Sequence, residues 1–144
     1  MIFFLFKAPP VLWAGTPDNW INALKKIIEL KPKVIVPGHG YFTDIAGVQR
    51  LIDYWLYVGH HLEQQFNRGA SPVEAANKIA LSRDFEQLGF LKWDAPERIL
   101  TSATTLYRHW SKATPGKPSI IKQLKMFSQQ AELAVLLKKK YKLC

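Results

Sequence analysis

Apolar residues recur every three or four positions in five stretches of this sequence, which is the spacing of one face of a helix. Pro32 ends the first stretch, because a proline disfavours helical geometry at the residue before it, Lys31. The first four stretches each follow a residue that can cap a helix: Thr16, Thr43 or Asp44, Ser71 and Asp94. The pattern therefore predicts helices over residues 17–30, 45–66, 72–81, 96–110 and 119–142.

Two shorter apolar runs predict strands. Residues Ile2–Phe6 are continuously apolar and Val34–Val36 are all β-branched, both typical of strands buried in a core. A strand, a helix and a second strand in this order predict a βαβ unit with parallel strands. Residues 82–93 show no period and are predicted to be irregular, with four apolar side chains folded back onto the core: Phe85, Leu88, Phe90 and Trp93.

The run Val36-Pro37-Gly38-His39-Gly40 places one imidazole at the end of the second predicted strand. Pro37 ends the strand because it has no N–H to donate, and the glycines on either side of His39 free the backbone. A histidine in this position is well placed to reach into a site and has little room to pack in a core. His39 is therefore the candidate site residue.

Together with the helices before and after it, this run resembles the metallo-β-lactamase superfamily of metal-dependent hydrolases. The likeness covers roughly residues 2–112 and includes the stretches Thr16-Pro17-Asp18, Thr43-Asp44 and Trp93-Asp94-Ala95-Pro96. In that family a Pro-Gly-His-Gly turn after a strand supplies a histidine to a two-metal site, which implies a zinc-ligand role for His39. Metal-bound hydroxide would then attack an ester, thioester, lactam or phosphoester.

The metal ligands that the family carries earlier in the chain are missing from this sequence. No His-x-His-x-Asp-His motif is present, and the other histidines, His60, His61 and His109, all follow His39 in predicted helices. Adjacent residues on a helix point about 100° apart, so His60 and His61 are interpreted as surface or boundary residues and not as a ligand pair. The sequence thus resembles only the C-terminal half of the family's fold.

Composition limits the class of protein, its expected location and its expected partners. The 144 residues are 48% apolar, which favours a globular domain over a disordered chain. The net charge of +9 is typical of nucleic-acid-binding proteins, but no known nucleic-acid-binding module is present, so that function is not expected. Cys144 is the only cysteine, which excludes an internal disulfide and favours a reducing, cytoplasmic location. Residues Ile2–Phe6 are too few to span a bilayer, so no transmembrane segment is expected.

The last predicted helix is amphipathic and ends in a basic stretch, Lys138–Lys142. Positive charge is electrostatically favourable at the C-terminus of a helix, which accounts for these lysines without a partner. The alternative is a role at a membrane surface or with an acidic partner. The helix carries its apolar residues at one spacing: Ile120, Leu124, Phe127, Ala131 and Val135.

These observations predict an α/β fold, the C-terminal half of an αβ/βα metallo-β-lactamase-like sandwich with two short strands and about five helices. Residues 1–113 form this half-domain, 114–118 a linker and 119–144 the basic helix. The predicted function is metal-dependent hydrolysis of a small-molecule substrate, in a truncated or split chain that lacks most metal ligands. The alternative is a catalytically inactive interaction or assembly module that self-associates or binds a complementary N-terminal half.

Overall fold

The computed structural model describes residues 9–37, 41–112 and 119–142. Every regular element within these ranges is helical, including two short 3₁₀ helices at Phe90–Lys92 and Pro96–Arg98. The α-helices are α1 (Pro17–Glu29), α2 (Ile45–Asn67), α3 (Pro72–Ala80), α4 (Arg83–Gln87), α5 (Ile99–Trp110) and α6 (Ile120–Tyr141).

The predicted α/β fold is wrong, because the described residues form neither a strand nor a sheet. At residues 34–36 the backbone makes only one isolated antiparallel bridge, between Ile35 and Thr43. β-branched residues favour extended backbone locally, but a strand forms only where a partner runs alongside it. The other predicted strand, Ile2–Phe6, lies outside the described residues, and so do the predicted linker 114–118 and Cys144.

Capping side chains fix the starts of three predicted helices, α2, α3 and α6, whereas α1 and α5 form without the side-chain caps predicted at Thr16 and Asp94. The Asp44 carboxylate accepts a hydrogen bond from the backbone N–H of Gly47 at 3.1 Å and begins α2. Ser71 and Glu74 form a capping box at α3, in which each side chain accepts from the other residue's backbone N–H. The Ser119 hydroxyl accepts a hydrogen bond from the backbone N–H of Lys122 at 3.4 Å and caps α6, without a reciprocal bond. In each of these caps, the side chain and the backbone N–H that it binds are only three residues apart. Helix starts of this kind can therefore be predicted from local sequence.

Residues 82–93 are more regular than predicted. The Ser82 hydroxyl accepts a hydrogen bond from the backbone N–H of Phe85 at 3.1 Å and caps the short helix α4. A 3₁₀ turn follows at Phe90–Lys92. Phe85 and Phe90 are buried as predicted, whereas Leu88 lies at the surface and is 38% exposed. A five-residue helix is too short to show a hydrophobic period, which is why the sequence does not reveal it.

Helix α2 is the centre of the core, where it packs against α1, α3 and α5. Its largest buried side chains are Tyr54 and Trp55. The Tyr54 ring lies in an aromatic cluster with centroid distances between 5.2 and 6.4 Å to its neighbours, Trp55, Phe85, Phe90 and Trp93. Aromatic rings contribute the largest apolar areas to a core. This cluster therefore packs residues 85–93 against α2.

Helix α6 packs on this core through one face of its second half. Leu133 and Leu137 are its buried residues, and the Thr101 hydroxyl donates a hydrogen bond to the Gln130 side-chain oxygen at 2.7 Å. Neither α6 nor any other helix in the described ranges combines the length and the apolar content needed to cross a bilayer. The apolar positions that the sequence places at one spacing on α6 are all exposed instead: Ile120, Leu124, Phe127, Ala131 and Val135.

Candidate functional site

The candidate site is built on the bridge between Ile35 and Thr43. The backbone N–H of Ile35 donates to the Thr43 carbonyl at 2.8 Å, and the N–H of Thr43 donates to the Ile35 carbonyl at 2.9 Å. Such a reciprocal exchange is the hydrogen-bonded pair of an antiparallel ladder. It holds together the two ends of the connection that contains His39.

Local chemistry explains why the chain turns here. Lys31 adopts the left-handed conformation with φ of 49°, which reverses the backbone after α1. Ile35 and Pro37 are buried and anchor the first side of the bridge to the core. Asp44 caps α2 directly after Thr43 and fixes the second side. The bridge is therefore held between two helix ends.

Side chains alternate along extended backbone, so the neighbours of the buried Ile35 point the other way. Val34 and Val36 are accordingly 63% and 70% exposed. Across the bridge, Phe42 stands opposite Val36 on the same face and is 74% exposed, and Tyr41 beside it is 71% exposed. We call these four side chains, Val34, Val36, Tyr41 and Phe42, the bridge surface.

The bridge also leaves a backbone edge open. The N–H and C=O of Ile35 both face Thr43, so those of Val34 and Val36 face away from the bridge. The structure pairs neither Val34 nor Val36 with backbone groups of the residues it describes. An open edge with exposed apolar side chains is the typical template for a strand added from another polypeptide.

His39, the zinc ligand that the family resemblance implies, lies outside the described residues, as do Gly38 and Gly40. Within the described ranges, no group of three or more His, Cys, Asp or Glu side chains could hold a metal ion. A zinc site needs three or four protein ligands, so these residues do not fit one by themselves.

The tandem histidines on α2 each have a separate neighbour. The Gln64 amide nitrogen donates to His60 Nε2 at 3.0 Å, and the His61 ring lies 4.3 Å from the Tyr57 ring, centroid to centroid. Burial lowers the pKa of His61, the nearby His60 lowers it further, and the carboxylate of Asp84 opposes both effects. His60 is exposed and His61 half-buried. The two rings also lie edge to face, with centroids 5.4 Å apart.

Tyr41 and Phe42 are the parts of this surface that sequence patterns do not mark. They belong to no helical or alternating period, because they fall between Gly40 and the cap residue Asp44. The available signal is their position: two adjacent aromatics in a short connection have no helix face on which to be buried. The exposure of both rings follows from that position.

Comparison with family models, with curated proteins and with solved structures finds no match for this chain. The resemblance to metal-dependent hydrolases therefore stays a hypothesis based on a few motifs. The features of the described residues that bear on function are the bridge surface and the open edge, which lie between α1 and α2.

Proposed function

We propose that this chain is an assembly module that buries the bridge surface against another polypeptide, in the first instance a second copy of itself. The observation that carries the proposal is that an open backbone edge coincides with the exposed side chains of Val34, Val36 and Phe42. Proteins usually protect such an edge with charge, with proline or with a covering element. Here Lys33 and Pro37 bound the edge, but between them it carries β-branched residues, which pack well in a sheet.

The geometry permits a symmetric pairing between two copies. Antiparallel pairing across a two-fold axis places Ile35 opposite its own counterpart. Val34 of one copy then forms a hydrogen-bonded pair with Val36 of the other, and the reverse. Both pairs use the N–H and C=O groups that the bridge to Thr43 leaves open. The exposed side chains of Val34, Val36 and Phe42 from both copies meet on one face.

The size of the bridge surface sets the strength of the interaction. Full burial of an apolar side chain contributes ~1.5–3 kcal/mol, and contact side by side on one face buries each side chain only in part. The three side chains that meet, Val34, Val36 and Phe42, therefore contribute at most roughly 4.5–9 kcal/mol per copy before any cost. Association itself costs ~4–15 kcal/mol in lost translational and rotational freedom. The surface is also smaller than that of a standard stable interface. We therefore expect weak, concentration-dependent association, with a Kd of about 10 μM or higher.

Sedimentation velocity tests this proposal with the purified chain from about 5 to about 200 μM, which brackets that Kd. The sedimentation coefficient of the wild type is expected to rise with concentration, and that of Val36→Asp to stay at the monomer value. Leu56→Asp is the matched control, because Leu56 is 55% exposed on α2, outside the bridge surface. A wild type that stays monomeric, or an equal loss of association in Leu56→Asp, contradicts the proposal. Circular dichroism verifies that each variant keeps its helices.

A second candidate function is the metal-dependent hydrolysis that the family resemblance implies. One observation favours it: the bridge between Ile35 and Thr43 pairs the chain on either side of residues 38–40, and apolar side chains next to this bridge are exposed to another polypeptide. Under this proposal the polypeptide that covers the bridge surface also brings the missing ligands. The substrate class would be an ester, thioester, lactam or phosphoester.

Zinc content tests whether this chain carries a complete site. We expect the isolated polypeptide, purified without a histidine tag, to hold far less than one zinc per chain by elemental analysis, because it offers one credible ligand, His39. It should also hydrolyse no ester or lactam above background. Near-stoichiometric zinc that His39→Ala removes would show that the chain is itself a metalloprotein, and would displace the assembly proposal as its main function.

A further inference from the structure

The outward side of α6 carries an apolar stripe that the described residues leave uncovered. Five residues fall within a sector of about 80° when each residue advances 100° around the helix. Over residues 120–135 the stripe is about 22 Å long at 1.5 Å per residue. We call these residues the outer stripe: Ile120, Leu124, Phe127, Ala131 and Val135, all of which are exposed.

The packing of α6 on the core fixes the direction of the outer stripe. Leu133 and Leu137 are buried, and they lie about 140° around the helix from the centre of the outer stripe. Tyr141 adds a hydrogen bond from its hydroxyl to the carbonyl of Ser82 at 3.3 Å. The outer stripe can therefore turn inward only if both buried leucines are pulled out. The first half of α6, up to Phe127, has no buried residue.

Lysines accompany the outer stripe along the exposed side of the helix. Lys138, Lys139 and Lys142 follow it at the C-terminal end, and all three are exposed. Lys140 differs, because its ammonium donates a hydrogen bond to the Leu81 carbonyl on the core. Lysine is frequent elsewhere on α6 as well, while its acidic residues are limited to Glu132.

The positive charge of α6 determines what kind of partner can cover the outer stripe. A second copy would bring two lysine-rich helices together, and like charges oppose that contact. The chain as a whole carries a net charge of +9, which attracts it to an anionic surface. The outer stripe is the convex side of a helix, so a flat bilayer can cover it without a groove of matching shape. An exposed apolar helix face that ends in lysines is compatible with a helix that lies in the interface of an anionic membrane.

We infer that α6 docks on an anionic lipid bilayer, with the outer stripe among the upper acyl chains and Lys138, Lys139 and Lys142 at the headgroups. This contact is independent of the bridge surface, which lies on a different element. Binding requires both the apolar residues and the lysines, because a single weak anchor gives only marginal membrane affinity.

Vesicle flotation with the full chain tests the inference. We expect the chain to float with phosphatidylcholine vesicles that contain about 30% phosphatidylserine, and to bind pure phosphatidylcholine vesicles at least about tenfold more weakly. Leu124→Asp and the triple variant Lys138→Gln, Lys139→Gln, Lys142→Gln should each lower binding at least about tenfold. Lys140→Gln is the matched control for charge, and it should lose far less binding because that lysine faces the core.

Three outcomes would overturn the inference. The first is no binding to anionic vesicles, as expected if a protein covers the outer stripe. The second is binding that Leu124→Asp leaves intact, which would indicate charge attraction without docking of the helix. The third is equal binding to neutral and anionic vesicles. Val36→Asp, which should abolish self-association, is expected to keep its vesicle binding, so failure of the assembly proposal is distinguished from failure of this one.

Discussion

The core of this protein contains polar atoms that have no hydrogen-bond partner among the described residues. The hydroxyl of Tyr54 and the indole N–H of Trp55 are both fully buried and unpaired there. Burial raises the pKa of the Tyr54 hydroxyl, so it stays protonated at every ordinary pH. The two rings contribute packing to the aromatic cluster, while their polar atoms cost desolvation free energy that no hydrogen bond offsets.

Removing the Tyr54 hydroxyl should therefore raise stability. We expect Tyr54→Phe to increase the free energy of unfolding by up to about 1 kcal/mol, because it keeps the ring and removes the unpaired group. Tyr141→Phe is the matched control, since that hydroxyl donates to the Ser82 carbonyl, and its loss should cost about 0.5–1.5 kcal/mol. Urea unfolding of both variants measures the difference. A destabilised Tyr54→Phe would mean that the hydroxyl has a partner.

His61 gives the protein a pH dependence near neutrality. Its pKa is lowered in the folded state, mainly by burial, from its usual 6.5. Between the lowered pKa and about 6.5 the unfolded chain binds more protons than the folded one, so stability rises with pH across this window. We expect thermal unfolding to show this rise, His61→Gln to flatten it and Asp84→Asn to steepen it, because Asp84 opposes the shift. A slope that His61→Gln leaves unchanged would contradict this assignment.

At the scale of elements, α6 shows that an amphipathic pattern can identify a helix without identifying its buried face. The pattern of the outer stripe is the more regular one, and by itself it predicts that these residues face the core. Leu133 and Leu137 are buried in its place, on a stripe that also includes the polar residue Gln130. Gln130 is tolerated there because Thr101 pairs with it. That pairing is set by tertiary contacts and is not visible in the sequence of α6.

The orientation of α6 predicts opposite results for two leucines on the same helix. Leu137→Ala should cost about 2–5 kcal/mol in the free energy of unfolding, because it leaves a cavity against the core. Leu124→Ala should change it by less than about 0.5 kcal/mol, because Leu124 is 63% exposed. Chemical unfolding of the two variants tests the orientation. A large loss in Leu124→Ala with a small one in Leu137→Ala would mean that the outer stripe faces the core.

At the scale of the whole molecule, sequence predicts the features that depend on near neighbours and misses those that depend on distant ones. The capping box of Ser71 and Glu74 joins residues three apart, and the start of α3 was predictable for that reason. The Val34–Val36 run has the residue types of a strand, but the pairing of a strand depends on chain far away in sequence. The described residues provide only Thr43, and the α/β prediction failed at this point.

The location of the candidate site could be predicted from the sequence, but its character as an exposed apolar surface could not. The connection around His39 stands out in the sequence because of its glycines and its proline. The bridge surface depends on which side chains the rest of the fold leaves uncovered, and no local pattern contains that information. Val36 and Phe42 become a shared surface only because Ile35 pairs with Thr43 and sets their register.

Amide hydrogen exchange at Val34 and Val36 tests the central claim most directly. At about 5 μM the chain should be mostly monomeric and both amides should exchange nearly as open groups, while the Ile35 amide is protected by its bond to Thr43. At about 200 μM we expect protection of the Val34 and Val36 amides to increase severalfold, because a second copy pairs with the edge. Fast exchange of both amides at every concentration, or full protection already at the lowest one, would contradict an edge that is covered by assembly.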